Sequence, residues 1–513
     1  MAEPRTPPAD GAAREGDGDA AREGGGGGAA REAGERAARN TVVRAGGEIL
    51  GKVASLALLA ILAREVGDAR FGVFVFALAW GEIAMTPVGL GIDQYLLRAI
   101  AADRGRLDEL FANAVYLKLW RGIPIVAASV VLVNVLDLSS ETRQAVAILT
   151  VGLFLDTLAR TFMNVFNAFE RGELVAATIV AQRLVAAAAG IALLLAGYGV
   201  VEVAAAWSVG AAVRVGMSAW LLVRRVGRPR ATLPPAPRLE LRRRSLPFTT
   251  QDLFGLVLAR ADVMILAALA TDAVVGRYGS AYRLLDSTTF IVVALTGAFT
   301  AMYTYLGPDT TPTLASVFQR SQKLCLALLV PIAVALGLLA EPICRLFFGA
   351  EFEAAADPLR LLAPVVVLFG VMVLSSVLVL SREHPRRMIV TVAVAAAVNI
   401  GLNFALVPPL DDVGAALAML ASMVVYAAIA FRLALLDVGR VDWVSMLAAP
   451  TAAGAAMAVP LLLLGGAWPV AAAVGVAVYL AVYAAVDRVV DPGDLRFVVD
   501  LARRRAPGRR AAA

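Results

Sequence analysis

The apolar residues of this chain fall into blocks of roughly 20, the length of helix that crosses a ~30 Å hydrocarbon layer. They run over approximately 42–63, 71–92, 111–135, 143–166, 174–197, 200–223, 247–269, 274–298, 321–340, 357–380, 387–407, 413–436, 443–464 and 468–487. Hydrophobic residues make up 59% of the 513 and charged residues 17%, with a mean hydropathy of +0.75. Ordinary soluble domains sit well below the first figure and above the second. The pattern predicts an all-α polytopic membrane protein of about fourteen spanning helices and argues against a water-soluble enzyme.

Several chemistries close off next. The single histidine, His384, lies in the charged stretch Ser381-Arg-Glu-His-Pro-Arg-Arg387 and reads as a solvated loop residue, which leaves no His-rich metal site or Ser-His-Asp triad. Cys325 and Cys344 show no ligand spacing and read as small buried hydrophobes. The net charge is +6, but only Lys52, Lys118 and Lys323 are lysines. An arginine-, alanine-, glycine- and proline-rich composition reflects GC-rich codons, and no nucleic-acid partner is expected. No cofactor is expected either.

The sequence divides as follows. Residues 1–40, rich in Gly, Ala, Arg, Glu and Asp, read as a disordered cytoplasmic tail. A six-helix lobe spans 41–223, and a basic, proline-rich strap follows at 224–244. A second six-helix lobe occupies 245–436, two extra helices 437–487, and a basic cytoplasmic tail 488–513. Cationic connections alternate with short cation-poor ones, which places both termini in the cytoplasm of a cell-membrane protein. An internal echo supports the division: Asp68-Ala-Arg-Phe-Gly-Val-Phe-Val-Phe-Ala77 recurs as Asp272-Ala-Val-Val-Gly-Arg-Tyr-Gly-Ser-Ala281, six helices later. An even number of helices per copy makes the repeats parallel, a plan used by transporters with a site between the copies.

Ionisable groups inside apolar spans carry an insertion penalty of about 2.5 kcal/mol or more and usually face a wet or paired interior. Glu48 with Lys52 and Asp156 with Arg160 are spaced i,i+4, and Arg283 with Asp286 i,i+3, so each pair can meet on one helix face. Arg260 and Asp262, two residues apart, cannot pair with each other. Arg260 lies ~20 Å deep in its span at ~1.5 Å per residue, which leaves an interhelical carboxylate, a water-filled cavity or an anionic substrate as its partner. Arg183 and Arg214 lie nearer the cytoplasmic edge, and Glu82 has no evident local counter-charge.

Several strings resemble the polysaccharide flippases. They are Glu65-Val-Gly-Asp-Ala-Arg-Phe-Gly-Val-Phe74, Gly89-Leu-Gly-Ile-Asp-Gln-Tyr-Leu-Leu-Arg98, and Arg260-Ala-Asp-Val-Met-Ile-Leu266 leading into Val275-Gly-Arg-Tyr-Gly-Ser-Ala-Tyr-Arg283. Leu346-Phe-Phe-Gly-Ala-Glu-Phe352, Asn399-Ile-Gly-Leu-Asn-Phe-Ala-Leu-Val-Pro-Pro409 and Val413-Gly-Ala-Ala-Leu-Ala418 continue the likeness, which runs from about 41 to 440. These flippases belong to the multidrug, oligosaccharidyl-lipid and polysaccharide exporter superfamily. The resemblance implies two six-helix lobes around a central cavity, two extra C-terminal helices, and movement of a polyprenyl-(di)phosphate-linked oligosaccharide across the bilayer. Glycosyltransferases or a polymerase of the same pathway are implied as partners. Cavity arginines of the family are thought to hold the anionic head group, and guanidinium chemistry suits phosphate oxygens.

On that basis Arg260 and Arg283, then Lys52, Arg214 and Arg183, are the expected substrate-binding residues. Asp262, Glu82, Glu48 and Asp286 are expected coupling or structural carboxylates. Glu48 beside Lys52 departs from this scheme, because a carboxylate there weakens the cation's pull on phosphate. A peptidoglycan-precursor flippase and a multidrug or cation antiporter of the same superfamily remain as alternatives. A glycosyltransferase or polymerase fits poorly, because the external connections are too short to carry a catalytic domain.

Overall fold

The computed structural model describes residues 20–491 except 90, 231–232, 306–310 and 383. Its helices are α1 (Ala20–Gly89), α2 (Ile92–Ala102), α3 (Leu107–Val135), α4 (Ser140–Ala168), α5 (Gly172–Leu195), α6 (Val200–Arg225) and α7 (Pro235–Leu269). They continue as α8 (Asp272–Tyr305), α9 (Thr311–Leu338), α10 (Ala340–Phe348), α11 (Ala356–Ser381), α12 (Pro385–Val438), α13 (Trp443–Leu463) and α14 (Trp468–Val490). There is no strand among the described residues. Ten helical stretches are long and apolar enough to cross a membrane. Two of them, α1 and α12, are each a pair of helices reversed at a single residue, Gly67 (φ 78°) and Asp411 (φ 49°). With the charge-bearing α7 and α8, the described residues thus form fourteen spans.

The two reversals replace loops. Gly67 adopts positive φ without a Cβ penalty, whereas Asp411 holds a conformation rare for a side-chain-bearing residue, a strain of order 1–3 kcal/mol. Asp412, next to it, accepts from the Val413 amide at 3.0 Å and from Arg277 Nε at 3.1 Å. Connections on this side are short, and we call it the turn end. The opposite side carries the 226–234 segment, and we call it the linker end.

The first helix starts at Ala20, inside the segment expected as a disordered tail. Alanine, glutamate and arginine are strong helix formers, and the five-glycine run lies within the helix. Residues 1–19 and the tail from 492 lie outside the described residues. The expected flexible strap is also largely structured. Helix α7 begins at Pro235, and Leu241 is fully buried against the first lobe. Arg106 Nη2 holds Glu240 at 2.7 Å, Tyr95 donates its hydroxyl to Glu240 at 2.5 Å, and Asn113 Oδ1 receives Arg238 Nε at 3.1 Å. Arg238 also lies over the Tyr116 ring at 4.5 Å. The hydrogen bond from Arg106, more than any other cause, keeps the Glu240 carboxyl below its ordinary range, and desolvation raises the Tyr95 hydroxyl. Sequence reading missed this docking because the partners lie 125 to 145 residues away.

Helices α1–α6 form one lobe and α7–α12 the other. The two sequence echoes meet face to face at the turn end, where α1 packs on α8. A Cβ on Gly72 would overlap the Asp272 carbonyl and stand 3.0 Å from the Gly276 amide nitrogen. A Cβ on Gly276 would overlap the Asp68 carbonyl and stand 3.1 Å from the Gly72 nitrogen. This reciprocity is what two parallel repeats related by a near-twofold axis require. Around the seam, Phe71 packs on Phe348 and Phe352 of the second lobe. Arg277 Nη1 lies 3.8 Å from Asp68 across it, and Arg64 donates to the Phe347 carbonyl at 3.0 Å.

The C-terminal pair α13–α14 packs on α9. Lys323, 4% exposed, reaches Asp487 at 2.6 Å and Asp491 at 3.6 Å, and the Tyr479 hydroxyl donates to the Ala327 carbonyl at 3.0 Å. Their outer faces are apolar and exposed, as at Leu462, Leu463, Leu480 and Val489, the composition of a lipid-facing wall.

Candidate functional site: a charged cavity between the lobes

Below the sealed seam the lobes diverge around a cavity of about 1070 Å³. Its walls come from both halves of α1 and from α2, α4, α5, α6, α7, α8, α11 and α12. Its lining starts near Leu78 and Tyr282 and reaches Gln94, Arg160 and Asn164 toward the linker end, where Gln94 and Arg160 are exposed. The lining contains Lys52, Arg160, Arg183, Arg214, Arg260 and Arg283, against Glu82, Asp93, Asp156 and Asp286. Six cations face four carboxylates, and what those carboxylates are bound to decides what the cavity can hold.

All five expected substrate-binding residues lie on this one cavity. Arg260 is paired with Glu82, joining α7 to the second half of α1, and its guanidinium carbon stands 5.4 Å from the Tyr282 ring centroid. Glu82 therefore does have a counter-charge, 178 residues away in sequence. The pair sits in the cavity wall, with side chains 15% and 26% exposed. Of the three partners open to Arg260, the structure gives it the carboxylate while keeping both groups within reach of the cavity.

Lys52 donates to the Asp286 carbonyl at 2.6 Å and to Thr289 Oγ1 at 2.5 Å, and stands 3.8 Å from the Asp286 carboxylate. Asp286 thus serves Lys52 across the lobes and makes no ion pair with Arg283 among the described residues. The i,i+3 spacing expected to join Asp286 to Arg283 is satisfied instead by a closer interhelical cation. The Glu48 side chain lies outside the described residues. Asp156 is gripped by Arg214 of α6, with Gln182 of α5 bridging them at 3.0 and 3.3 Å. Arg160, its expected i,i+4 partner, is farther away at 3.7 Å. Arg183 lies over Gly51, where a Cβ would stand 2.7 Å from its Cδ. The missing side chain lets this arginine pack against the first span.

Arg283 differs from these residues. It lines the cavity without an ion pair or side-chain hydrogen bond to any described residue, and it is half-buried. Asp262 lies elsewhere: it is fully buried within the second lobe, accepts from the Tyr278 hydroxyl and the Val263 amide, and does not line the cavity.

Sequence reading passed over one further ion pair, in which Asp93 lines the cavity and its partner lies behind the wall. Lys118, fully buried, donates to Asp93 at 2.7 Å and to the Thr157 carbonyl at 2.8 Å. A lone lysine inside an apolar block was the available signal. No group of three or more potential metal ligands occurs among the described residues.

Residues 37–303 match the sequence profile of a family described as polysaccharide biosynthesis protein. No curated protein gives a significant match. Among solved structures, the lipid II flippase MurJ in an inward closed conformation is similar with a TM-score of 0.67 at 12% identity, over 90% of this chain and 100% of that one. A multidrug resistance MATE family transporter of the MOP superfamily, inward-facing, gives 0.60 at 17% identity, over 78% and 98%. A MOP superfamily transporter from Pyrococcus furiosus, noted for the reverse polarity of its binding pocket, gives 0.59 at 16%, over 79% and 95%. At these identities the likeness is one of fold.

Proposed function

The chain belongs to the polysaccharide biosynthesis protein family, and from that premise we propose that it flips a polyprenyl-(di)phosphate-linked oligosaccharide across the cell membrane by alternating access. The observation that carries this reading is Arg283, a guanidinium on the cavity wall with no ion pair or side-chain hydrogen bond to a described residue, in a lining whose cations outnumber its carboxylates. A desolvated diphosphate needs donors of this kind, and the guanidinium fork matches its oxygens. A cavity for cationic drugs calls for the opposite balance.

In this reading the linker end faces the cytoplasm, and the structure corresponds to the state that loads substrate. The head group enters past Gln94 and Arg160 and meets Arg283, while the polyprenyl tail stays in lipid. A diphosphate that reaches Arg260 takes the place of Glu82, and one that reaches Lys52 competes with the Asp286 and Thr289 oxygens. Substrate thus exchanges with the contacts that tie α1 to α7 and α8 across the lobes. Freed from each other at that level, the lobes rock, the Gly72–Gly276 seam parts, and the head group leaves on the other side. No covalent step is involved.

Purified protein in liposomes should move a fluorescent lipid-linked oligosaccharide between leaflets. A lipid-linked peptidoglycan precursor and a cationic dye provide the comparison arms. Transport of the dye alone would overturn the proposal, and preference for the precursor would reassign the substrate within the same diphosphate chemistry.

A further inference from the structure

A second cavity, of about 590 Å³, lies at the turn end and shares no lining residue with the central one. Arg64 of α1, Arg345 of α10 and Arg360 of α11 line it, with Glu341 opposing them and Leu461 and Trp468 of the C-terminal pair closing the side. Arg64 is held by the Leu346 and Phe347 carbonyls, which are dipoles and leave its charge uncompensated. Arg360 is bound to Asp357 at 2.6 Å, and Glu341 reaches it only at 4.0 Å. Arg345 makes no ion pair or side-chain hydrogen bond among the described residues. Counting Asp357 with Glu341, three guanidinium groups face two carboxylates.

The surroundings are those of a membrane interface. Next to Leu461, Leu462 and Leu463 are 69% and 78% exposed, and Leu346 is 47% exposed. Trp468 at the start of α14 is a residue type that settles at headgroup level. Guanidinium groups at this level suit the phosphate oxygens of lipid head groups.

We propose that this turn-end cavity binds a phosphate-bearing head group, separately from the transported substrate. Two of its arginines belong to the second lobe and Arg64 to the first, so a bound phosphate bridges the lobes on the closed side. A ligand that fits only when Arg64 meets the other two favours the closed turn end by its difference in affinity between the two states. This last step rests on alternating access, whereas the binding itself does not.

Full-length protein in nanodiscs of phosphatidylcholine, with or without phosphatidylglycerol, tests the proposal by lipid retention in native mass spectrometry and by thermal unfolding. Wild type should retain phosphatidylglycerol and unfold at a higher temperature with it. Arg345→Gln and Arg360→Gln should each weaken retention roughly tenfold, as loss of a charged hydrogen bond does. Arg345→Lys should restore part of it, and Arg386→Gln at the other end should leave it unchanged. In detergent, stabilisation by inorganic diphosphate that depends on Arg345 would support the same site with a soluble occupant. Wild type and Arg345→Gln behaving alike toward both the lipid and diphosphate would overturn the proposal, whatever the transport assay shows.

Discussion

Arg283 and Arg260 line the same cavity, yet replacing each with glutamine should have different consequences. Arg283 forms no ion pair or side-chain hydrogen bond with the described residues, so Arg283→Gln removes no protein contact of that kind, and folding stability should change by less than about 1 kcal/mol. If the guanidinium holds a phosphate, its loss removes a charge-assisted interaction of about 1.5–3 kcal/mol, roughly ten- to hundredfold in substrate affinity. Arg260→Gln instead leaves Glu82 without its counter-charge. Breaking a fully buried pair costs about 3–5 kcal/mol. With Glu82 26% exposed to the cavity, partial solvation should reduce this to about 1–3 kcal/mol. Thermal unfolding and leaflet transfer of labelled substrate, measured on one proteoliposome preparation, separate the two effects. Arg283→Gln should lose transport at nearly unchanged unfolding temperature, whereas Arg260→Gln should lose both. Wild-type transport by Arg283→Gln at equal protein level would refute the assignment, as would transport losses that track only the amount of folded protein.

Three further outcomes follow from contacts away from the phosphate. Gly72→Val should prevent closure of the turn end, because its side chain would occupy the Asp272 carbonyl; cysteines placed at the seam should then label readily from the turn side, and unaltered protection would contradict the reciprocal packing. Lys323→Ala should lower stability by about 3–5 kcal/mol, because Asp487, 3% exposed, is left charged and without its ammonium partner; an unchanged unfolding temperature would show that α13–α14 dock by apolar contact alone. For the docked strap the pH dependence has a definite sign. The folded Glu240 carboxyl lies below its ordinary value of 4.5, so its contribution is complete above that value and declines as pH falls through the folded one. Glu240→Gln should reproduce the acid form at neutral pH and speed tryptic cleavage after Arg230, and an unchanged cleavage rate would show that Arg106 does not hold the strap.

The spans were legible in the sequence because crossing a bilayer imposes a fixed length on each apolar block. The repeat was legible because Asp68–Ala77 and Asp272–Ala281 keep the residues that their mutual packing requires. The cavity cations were legible as charges within apolar spans, whatever their role. Their partners were not. Local spacing joined Asp156 to Arg160 and Asp286 to Arg283, but nearer groups on other helices took those carboxylates, Arg214 in one case and Lys52 in the other. Glu82 found Arg260 across the lobes for the same reason. The strap looks flexible by composition, and its contacts with Tyr95, Arg106, Asn113 and Tyr116 show otherwise. Sequence periodicity reports one helix at a time, whereas a charge in low dielectric is settled by the nearest opposite charge in space.

At the centre of the turn-end seam, glycine on each side meets the other copy's carbonyl, while Phe71 and Arg277 pack around it. The glycine contact itself can separate and rejoin without sorting through rotamers. Its two halves are also chemically the same, so a bulky substitution in either copy should jam the device to a similar degree. The duplicated glycines therefore cannot drift independently, and each acts as a constraint on the other.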